Sequence, residues 1–211
     1  MVDDLKPEPR QELSVKQIPV EKSTTAKAAI QFAGKGIIYI RDIPEVVNHP
    51  VSGKRGIPLS EAELIGRISI GNLLFAQGLE LIFKLIFMCE GIEDKRYGPH
   101  ALVQRFDKIR SLNPIKQNIQ KFMPNFHTDK MAKAAEVVKN AEEAFMIFRY
   151  LGLKPGNLKS IYAMDAAGLL LSLTLSYQGL EQDEAARLIG IDIKNLDGSP
   201  FNEPFSPVRE N

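Results

Sequence analysis

Apolar side chains are concentrated in one long stretch of the chain, Leu73–Gly91. The stretch is too long for an ordinary strand, and it ends at a glycine of the kind that follows a helix C-terminus. Gln77, Glu80 and Lys84 fall in one narrow polar stripe of this helix, and most of the other positions are Leu, Ile, Phe or Met. A helix that is apolar on nearly every side must be covered on nearly every side. The pattern therefore predicts the central helix of a helical domain.

The start of this helix has its own signals. Ser60 and Glu63 have the spacing of a capping box, so the helix is expected to begin near Glu61. No proline follows before the apolar stretch, and we expect one long helix that continues through Gly66 and Gly71.

Further along the chain, apolar residues recur at helical spacing and predict five more helices. Two of them are long, and the second of these is rich in Leu and closed by Gly179. The five are His100–Ile109, Ile115–Phe122, Thr128–Leu151, Leu158–Gln178 and Gln182–Ile189.

The segment that precedes the central helix has weaker patterns. Residues 1–23 mix charges with prolines and show no apolar period, which predicts a disordered or loosely attached arm. Within 24–58, Ala26–Phe32 predicts a short helix that ends at a pair of glycines, and Ile37–Ile40 predicts a brief extended piece before a loop.

Together these patterns predict an all-α fold, an up-and-down helical bundle of three long and several short helices. The bundle is assigned to residues 59–190. The remaining residues, 191–211, contain three prolines and are expected to form an extended tail.

Composition narrows the function classes. The chain is 44% hydrophobic and 25% charged with a formal net charge of +1, so only a local argument can support binding to nucleic acid or membrane. A single cysteine, Cys89, excludes a disulfide within the chain. The N-terminal residues lack the pattern of a secretory signal, and the central apolar run carries Glu80 and Lys84, so we expect a cytoplasmic protein that does not span a membrane.

One segment is locally basic. Between Lys95 and Lys121 the chain contains seven Lys or Arg side chains and a single acid, Asp107. Clustered cations are what phosphate recognition requires, although most charged runs are solvated faces. The seven are Lys95, Arg96, Arg105, Lys108, Arg110, Lys116 and Lys121.

Three stretches resemble the HEPN family, small helical bundles named for nucleotide binding in higher eukaryotes and prokaryotes. The first is Gly78–Phe87, an apolar helix with an embedded Glu and Lys, followed by Gly91 and a polar loop. The second is Gly98-Pro-His-Ala-Leu-Val-Gln-Arg-Phe106, which has the His-x-Leu that leads into the next helix of that family. The third is Ala141–Tyr150, similar to the family's long late helix. The resemblance covers about residues 60–151.

The resemblance also implies candidate catalytic residues and a departure from the family pattern. Ribonucleases of the family carry an Arg and a His four to six residues apart on the late helix, but no His follows Arg149 here. Arg96 precedes His100 with three residues between them, in a different element. The resemblance thus implies a non-catalytic member, with Arg96, His100 and Arg149 as the candidates if the protein is an enzyme.

Each candidate has an ordinary structural alternative. Glu80 and Lys84 have the spacing of a surface ion pair, His100 is suited to packing at a helix start, and Arg149 complements a helix dipole. His49 and His127 lie in predicted loops without metal-ligand spacing, so we expect neither a metal site nor a cofactor. The predicted ligand-binding set is Glu80, Lys84, Lys95, Arg96, His100, Arg105, Arg149 and Tyr150.

Three functions follow as hypotheses. The first is a non-catalytic HEPN-like domain that binds RNA, a nucleotide or a cognate protein partner, within a bacterial defence or stress module. The second is a metal-independent ribonuclease with a divergent site completed by a homodimer. The third is a structural oligomerisation module that associates through the third long helix, Leu158–Gln178. The test that separates them is whether Glu80, Lys84, His100 and Arg149 meet in one pocket.

Overall fold

The computed structural model describes residues 16–41, 61–150 and 161–189, and these residues form seven α-helices with two short 3-10 turns, at Val20–Lys22 and Asp94–Arg96. The predicted all-α helical fold is confirmed. The helices are α1 Ser23–Arg41, α2 Glu61–Glu90, α3 Leu102–Ile109, α4 Asn113–Phe122, α5 Lys130–Tyr150, α6 Ala163–Thr174 and α7 Gln182–Ile189.

Helix α2 is the central element, as predicted, and its 30 residues are continuous from Glu61. It packs against α1, α3 and α5, and Phe75, Leu79 and Ile82 are among its fully buried side chains. The helix ends at Glu90, and the φ of the following Gly91 is left-handed at 66°. The amide of Ile92 donates to the carbonyl of Phe87 at 2.8 Å. This is a Schellman motif, which uses the glycine that the sequence places there. The predicted capping residue Ser60 lies outside the described residues.

By length and composition, Gly66–Glu90 is the one helix in the described part of the chain that is suited to crossing a membrane. In its most apolar window, 61% of the residues are buried inside the protein. The core helix of a soluble protein satisfies the same criterion, so α2 is weak evidence for a membrane span.

Helix α1 differs from the prediction. The sequence predicted a short helix that stops before Gly34 and Gly36 and an extended piece at Ile37–Ile40, but a single helix runs through all of these residues to Arg41. The prediction was wrong because both glycines are buried within the protein, and at Gly36 the close approach of α2 leaves no room for a side chain. Ile37 and Ile40 of the predicted extended piece are buried as well.

The contact between α1 and α2 explains these glycines. A Cβ atom built on Gly36 would lie 2.5 Å from the backbone nitrogen of Phe75, and one built on Gly78 would lie 2.5 Å from that of Ala33. These distances are shorter than any real Cβ contact, so the two backbones touch at positions where both helices lack bulk. The small residues set how closely the helix axes approach.

Helices α3, α4 and α5 were all predicted, in this order along the chain. Helix α3 begins at Leu102 rather than His100, because Ala101 forms an inverse γ-turn with φ −76° and ψ 71° that separates His100 from the helix. Pro114 lies in the first turn of α4, where the missing amide hydrogen costs nothing. Helix α5 is the predicted long amphipathic helix, with Ala134, Val138 and Ala141 buried.

Helix α6 is shorter than predicted. It starts at Ala163 and ends at Thr174, whereas Leu158–Gln178 was expected. The chain turns after Leu175, and Gln178 pairs with residues 16–22, which we call the N-terminal segment. The amide of Ile18 donates to the carbonyl of Gln178 at 2.7 Å, and the amide of Gln178 donates to the carbonyl of Lys16 at 3.0 Å. Among the described residues, the long helices are therefore α1, α2 and α5.

The N-terminal segment is firmly attached, in contrast to the predicted loose arm. Ile18 is buried, and Lys16 Nζ lies 2.7 Å from the Glu90 carboxylate at the end of α2. Residues 1–15 of the predicted arm lie outside the described residues, as do residues 42–60, 151–160 and 190–211.

The third hypothesis used the predicted third long helix as an association surface. In α6 every residue except Met164 is buried. The helix is apolar because it belongs to the core, and association through this part of the chain stays a prediction.

Candidate functional site

Glu80 of α2 connects two residues of the predicted site. One oxygen of its carboxylate accepts a hydrogen bond from Lys84 Nζ at 2.7 Å, and the other lies 2.8 Å from His100 Nδ1. Glu80 is 8% exposed, whereas the side chains of Lys84 and His100 are 41% and 36% exposed. A buried carboxylate therefore holds an ammonium group and an imidazole side by side at the surface.

His100 is fixed by its ring and strained in its backbone. The imidazole lies against the Phe145 ring of α5, with centroids 4.2 Å apart and planes at 33°. Its φ of 62° makes it the one non-glycine residue in the left-handed region within the described chain. That conformation costs about 1 kcal/mol for a residue with a Cβ atom. Strain retained at a residue with several side-chain contacts is a feature of functional sites.

The charge of Glu80 is stabilised by its partners. Burial alone would raise the pKa of this carboxyl, but the hydrogen bonds and positive charges of Lys84 and His100 outweigh the burial, and the pKa is lowered. The carboxylate is therefore ionised at neutral pH and accepts the proton of His100 Nδ1. When Nδ1 donates this hydrogen bond, Nε2 is the other ring nitrogen, and it has no hydrogen-bond partner among the described residues.

Helix α5 holds the surrounding backbone as well as the ring. Glu142, three residues before Phe145, accepts a hydrogen bond at 2.8 Å from the amide of Val103 in the first turn of α3. A carboxylate there complements the positive end of the helix. We call Glu80, Lys84, His100 and Phe145 the His100 cluster. Its members come from α2, α5 and the loop between α2 and α3, and they can bind an anion or move a proton.

Arg105, a member of the predicted ligand-binding set, is buried in an ion pair. Its side chain is 2% exposed, and its guanidinium bonds Asp94 through Nε at 2.7 Å and Nη2 at 3.2 Å. It also lies over the ring of Tyr97, 5.9 Å from the centroid. This pairing fixes the loop that carries His100, so Arg105 is a positioning residue for that loop.

The other predicted ligands have different positions. Lys95 and Arg96 are exposed in the loop, and Arg96 forms a surface ion pair with Glu93 at 3.2 Å. Arg149 and Tyr150 lie in the last turn of α5, and the structure describes their backbone only. The backbone of α5 places position 149 one turn beyond Phe145. The structure thus brings together Glu80, Lys84 and His100 from the predicted set.

Sequence reasoning missed a second cluster. His127 Nε2 lies 2.6 Å from Asp165 Oδ1, and Lys133 Nζ lies 3.6 Å from the other oxygen of the same carboxylate. Asp165 is buried in the first turn of α6. It is separated from His127 by 38 residues, with no local spacing that relates them. The only signal was that Asp165 is the one charged residue of this helix.

The metal-ligating side chains of the described residues form no group of three that could hold an ion. His49 lies outside the described residues. Cys89 is half-buried, and its Sγ lies 3.4 Å from the carbonyl oxygen of Gln17. Burial, followed by the charge of Glu90, raises the pKa of this thiol, which disfavours the reactive thiolate.

Comparison of the chain with family models, with curated proteins and with solved structures finds no match in any of the three.

Proposed function

We propose that this protein is a non-catalytic HEPN-like helical domain that binds RNA or a nucleotide at the His100 cluster. The observation that carries the proposal is the carboxylate of Glu80, which holds Lys84 and His100 together at the surface. The family motif that includes these three residues is the second support. A protein partner is the alternative ligand of the same proposal.

The chemistry of the cluster suits a phosphate. The ammonium group of Lys84 has three N–H donors, and one of them is used by Glu80. The imidazole of His100 becomes a second cationic donor when it is protonated. Lys95 and Arg96 are exposed within five residues of His100 and add positive charge to the same loop.

The test is binding of fluorescently labelled single-stranded RNA and of labelled ATP at low and high salt. The parent protein is expected to bind at micromolar concentration, with an affinity that falls as salt rises. Lys84→Ala should weaken binding, and loss of one phosphate contact should reduce the slope of log affinity against log salt by about 0.7.

Lys139→Ala is the matched control, because Lys139 is exposed on α5 outside the cluster. It is expected to bind like the parent. The proposal fails if micromolar protein shows no salt-sensitive binding, or if Lys84→Ala and Lys139→Ala weaken binding equally.

A second function is favoured by one specific contact, the hydrogen bond between Glu80 and His100 Nδ1. A carboxylate that orients an imidazole and leaves Nε2 unpaired is an arrangement for general base catalysis. In a ribonuclease, the 2′-oxygen would attack the phosphorus as its proton passes to His100, and the 5′-oxygen would leave and take a proton from water. Incubation with total RNA tests this candidate: cleavage should occur with the parent and be lost in His100→Ala. Cleavage that persists in the variant excludes this role for His100.

A further inference from the structure

Three aromatic rings meet at the surface near the start of α5 and α6. The rings of Phe126 and His127 have centroids 4.3 Å apart, and those of Phe126 and Tyr162 are 6.4 Å apart. Phe126 is 61% exposed and Tyr162 is 55% exposed. We call Phe126, His127 and Tyr162 the aromatic platform. Large aromatic side chains are usually covered, so two exposed rings in one contact group require a reason.

The platform is a built structure and not two loose side chains. Asp165, which is 1% exposed, fixes the imidazole of His127 through the 2.6 Å contact at Nε2. When Nε2 donates this hydrogen bond to the carboxylate, Nδ1 is the other ring nitrogen, and it has no hydrogen-bond partner in the described part of the chain. The Tyr162 hydroxyl is directed to Met164 Sδ at 3.4 Å, which orients the third ring.

Positive charge lies beside these rings. Lys133 pairs with Asp165, and Lys130 donates to Asn125 Oδ1 at 2.6 Å, immediately next to Phe126 in the chain. Lys121 is exposed at the end of α4, with Nζ 5.1 Å from the centroid of the Phe122 ring. Lys130 also donates to the carbonyl of Gln120 in α4 at 2.7 Å, which keeps the end of that helix close to the platform.

From these observations we infer a second site: the aromatic platform binds the bases of a single-stranded nucleic acid. Exposed ring faces stack on bases of any sequence, and neighbouring lysines neutralise the phosphates between them. The fixed imidazole adds one acceptor that can receive an N–H from a base edge. Aromatic rings are also common in protein interfaces, but lysines are depleted there, and this patch combines rings with lysines.

The platform is separate from the His100 cluster. Lys133 and Phe145 are twelve residues apart on α5 (145 − 133), about 18 Å along the helix axis. The inference goes beyond the proposed function, because the two sites share no residue and each can be removed alone.

The experiment measures the affinity of a labelled single-stranded RNA for the full chain, with the same RNA as a duplex and an abasic oligonucleotide of equal length for comparison. We expect the single strand to bind tightest, because a duplex hides its base faces and an abasic strand has none. Phe126→Ala and Tyr162→Ala should each weaken single-strand binding about tenfold. Both residues are exposed, so these variants keep the fold.

Two further variants make the result specific. Tyr39→Ala removes an exposed ring on α1, away from the platform, and should bind like the parent. Phe126→Trp keeps an aromatic face and introduces the only Trp of the chain. Its emission should be quenched by the single strand and not by the duplex, which reports the stack directly.

The inference is overturned if Phe126→Ala and Tyr162→Ala bind like the parent, if Tyr39→Ala causes the same loss, or if the abasic strand binds as well as the RNA. The inference is also overturned if the parent is a dimer that does not bind RNA and Phe126→Ala converts it to a monomer, because the platform would then be a protein interface. If Lys84→Ala leaves RNA affinity unchanged while the platform variants lose it, the platform stands and the proposed function fails. The opposite pattern leaves the proposed function and removes the platform.

Discussion

Two carboxylates, Glu80 and Asp165, organise the polar chemistry of this protein at the scale of single residues. Each is buried, and a buried charge is tolerated only where partners and hydrogen bonds replace water. Each meets this requirement with one lysine and one histidine, and in both cases the histidine comes from an irregular segment. The two clusters are thus built alike although their residues are unrelated in sequence.

Glu80→Gln tests the electrostatic role of the first carboxylate. The pKa of Glu80 is lowered in the folded state, so its ionised form stabilises the fold above its ordinary value of 4.5, and this stability is lost as pH falls through the lower, folded value. The amide that replaces the carboxyl in this variant does not titrate. The difference in free energy of unfolding between parent and variant should therefore shrink as pH falls below 4.5, measured by urea unfolding at a series of pH values.

The control for this prediction is Glu136→Gln, because Glu136 is a largely exposed carboxylate on α5 that pairs with Lys133. The free energy of unfolding of Glu136→Gln should differ little from that of the parent at every pH. If the difference in free energy of unfolding between parent and Glu80→Gln stays constant across the acidic range, the predicted dependence of stability on the charge of Glu80 is contradicted.

Asp165→Ala tests the second carboxylate. The change removes the common partner of His127 and Lys133, and it should destabilise the fold by about 1–3 kcal/mol, since both partners retain some access to water. Asp107→Ala removes an exposed ion pair with Arg110 and should change the free energy of unfolding by less than about 0.5 kcal/mol. If Asp165→Ala and Asp107→Ala lower the stability equally in thermal or urea unfolding, the contacts of Asp165 are no stronger than those of a surface ion pair.

At the scale of single residues, local spacing found only part of the site. Glu80 and Lys84 are four residues apart on one helix, so their contact could be predicted from the sequence, and the family motif added His100. Asp165 could not be found in this way, because its partner His127 lies in an irregular segment that only the packing of α4, α5 and α6 brings close. Arg105 was assigned to a binding surface because its charge was visible in the sequence and its burial was not.

At the scale of elements, the contact between α1 and α2 predicts that one Gly→Ala substitution lowers the free energy of unfolding and another raises it. Ala favours an exposed helix interior over Gly by about 1 kcal/mol. Gly36→Ala should nevertheless destabilise the protein by about 2 kcal/mol, because the new Cβ would meet the α2 backbone at 2.5 Å. Gly66→Ala on α2 meets nothing within 4 Å and should stabilise the protein by about 0.5–1 kcal/mol.

Urea unfolding of both variants measures this difference. A stabilising effect of Gly36→Ala would show that the helices can separate without cost and would contradict the close contact. The comparison is controlled internally, since the chemical change is identical and only the space around the residue differs.

The same contact explains which elements could be predicted. Helix α2 carries its own evidence in length, apolar composition and a terminal glycine. In α1, two glycines followed by Ile37-Ile-Tyr-Ile40 favour a break and a strand on local grounds. The helical outcome depends on Gly78 and Phe75 in a distant part of the chain, which no local pattern contains. Helix α6 was predicted too long for the same reason, because the pairing of Gln178 with the N-terminal segment ends it early.

At the scale of the whole molecule, the N-terminal segment joins the beginning of the described chain to its far end. Ile18 is buried against the turn after α6, and Lys16 pairs with Glu90 at the end of α2. Cys89 lies beneath this segment, with its thiol at the carbonyl of Gln17. Because the chain has one cysteine, its alkylation reports whether the segment opens by itself or only when the protein unfolds.

We expect alkylation of Cys89 in the native protein to be much slower than in urea, because burial raises the pKa of the thiol and Gln17 covers it. Ile18→Ala removes a buried side chain and should release the segment before the helices melt. Labelling should then accelerate at urea concentrations where helical circular dichroism is unchanged. Val20→Ala alters an exposed residue of the same segment and should label like the parent. If labelling of Ile18→Ala rises only together with the loss of helix, the segment belongs to the same cooperative unit as the core.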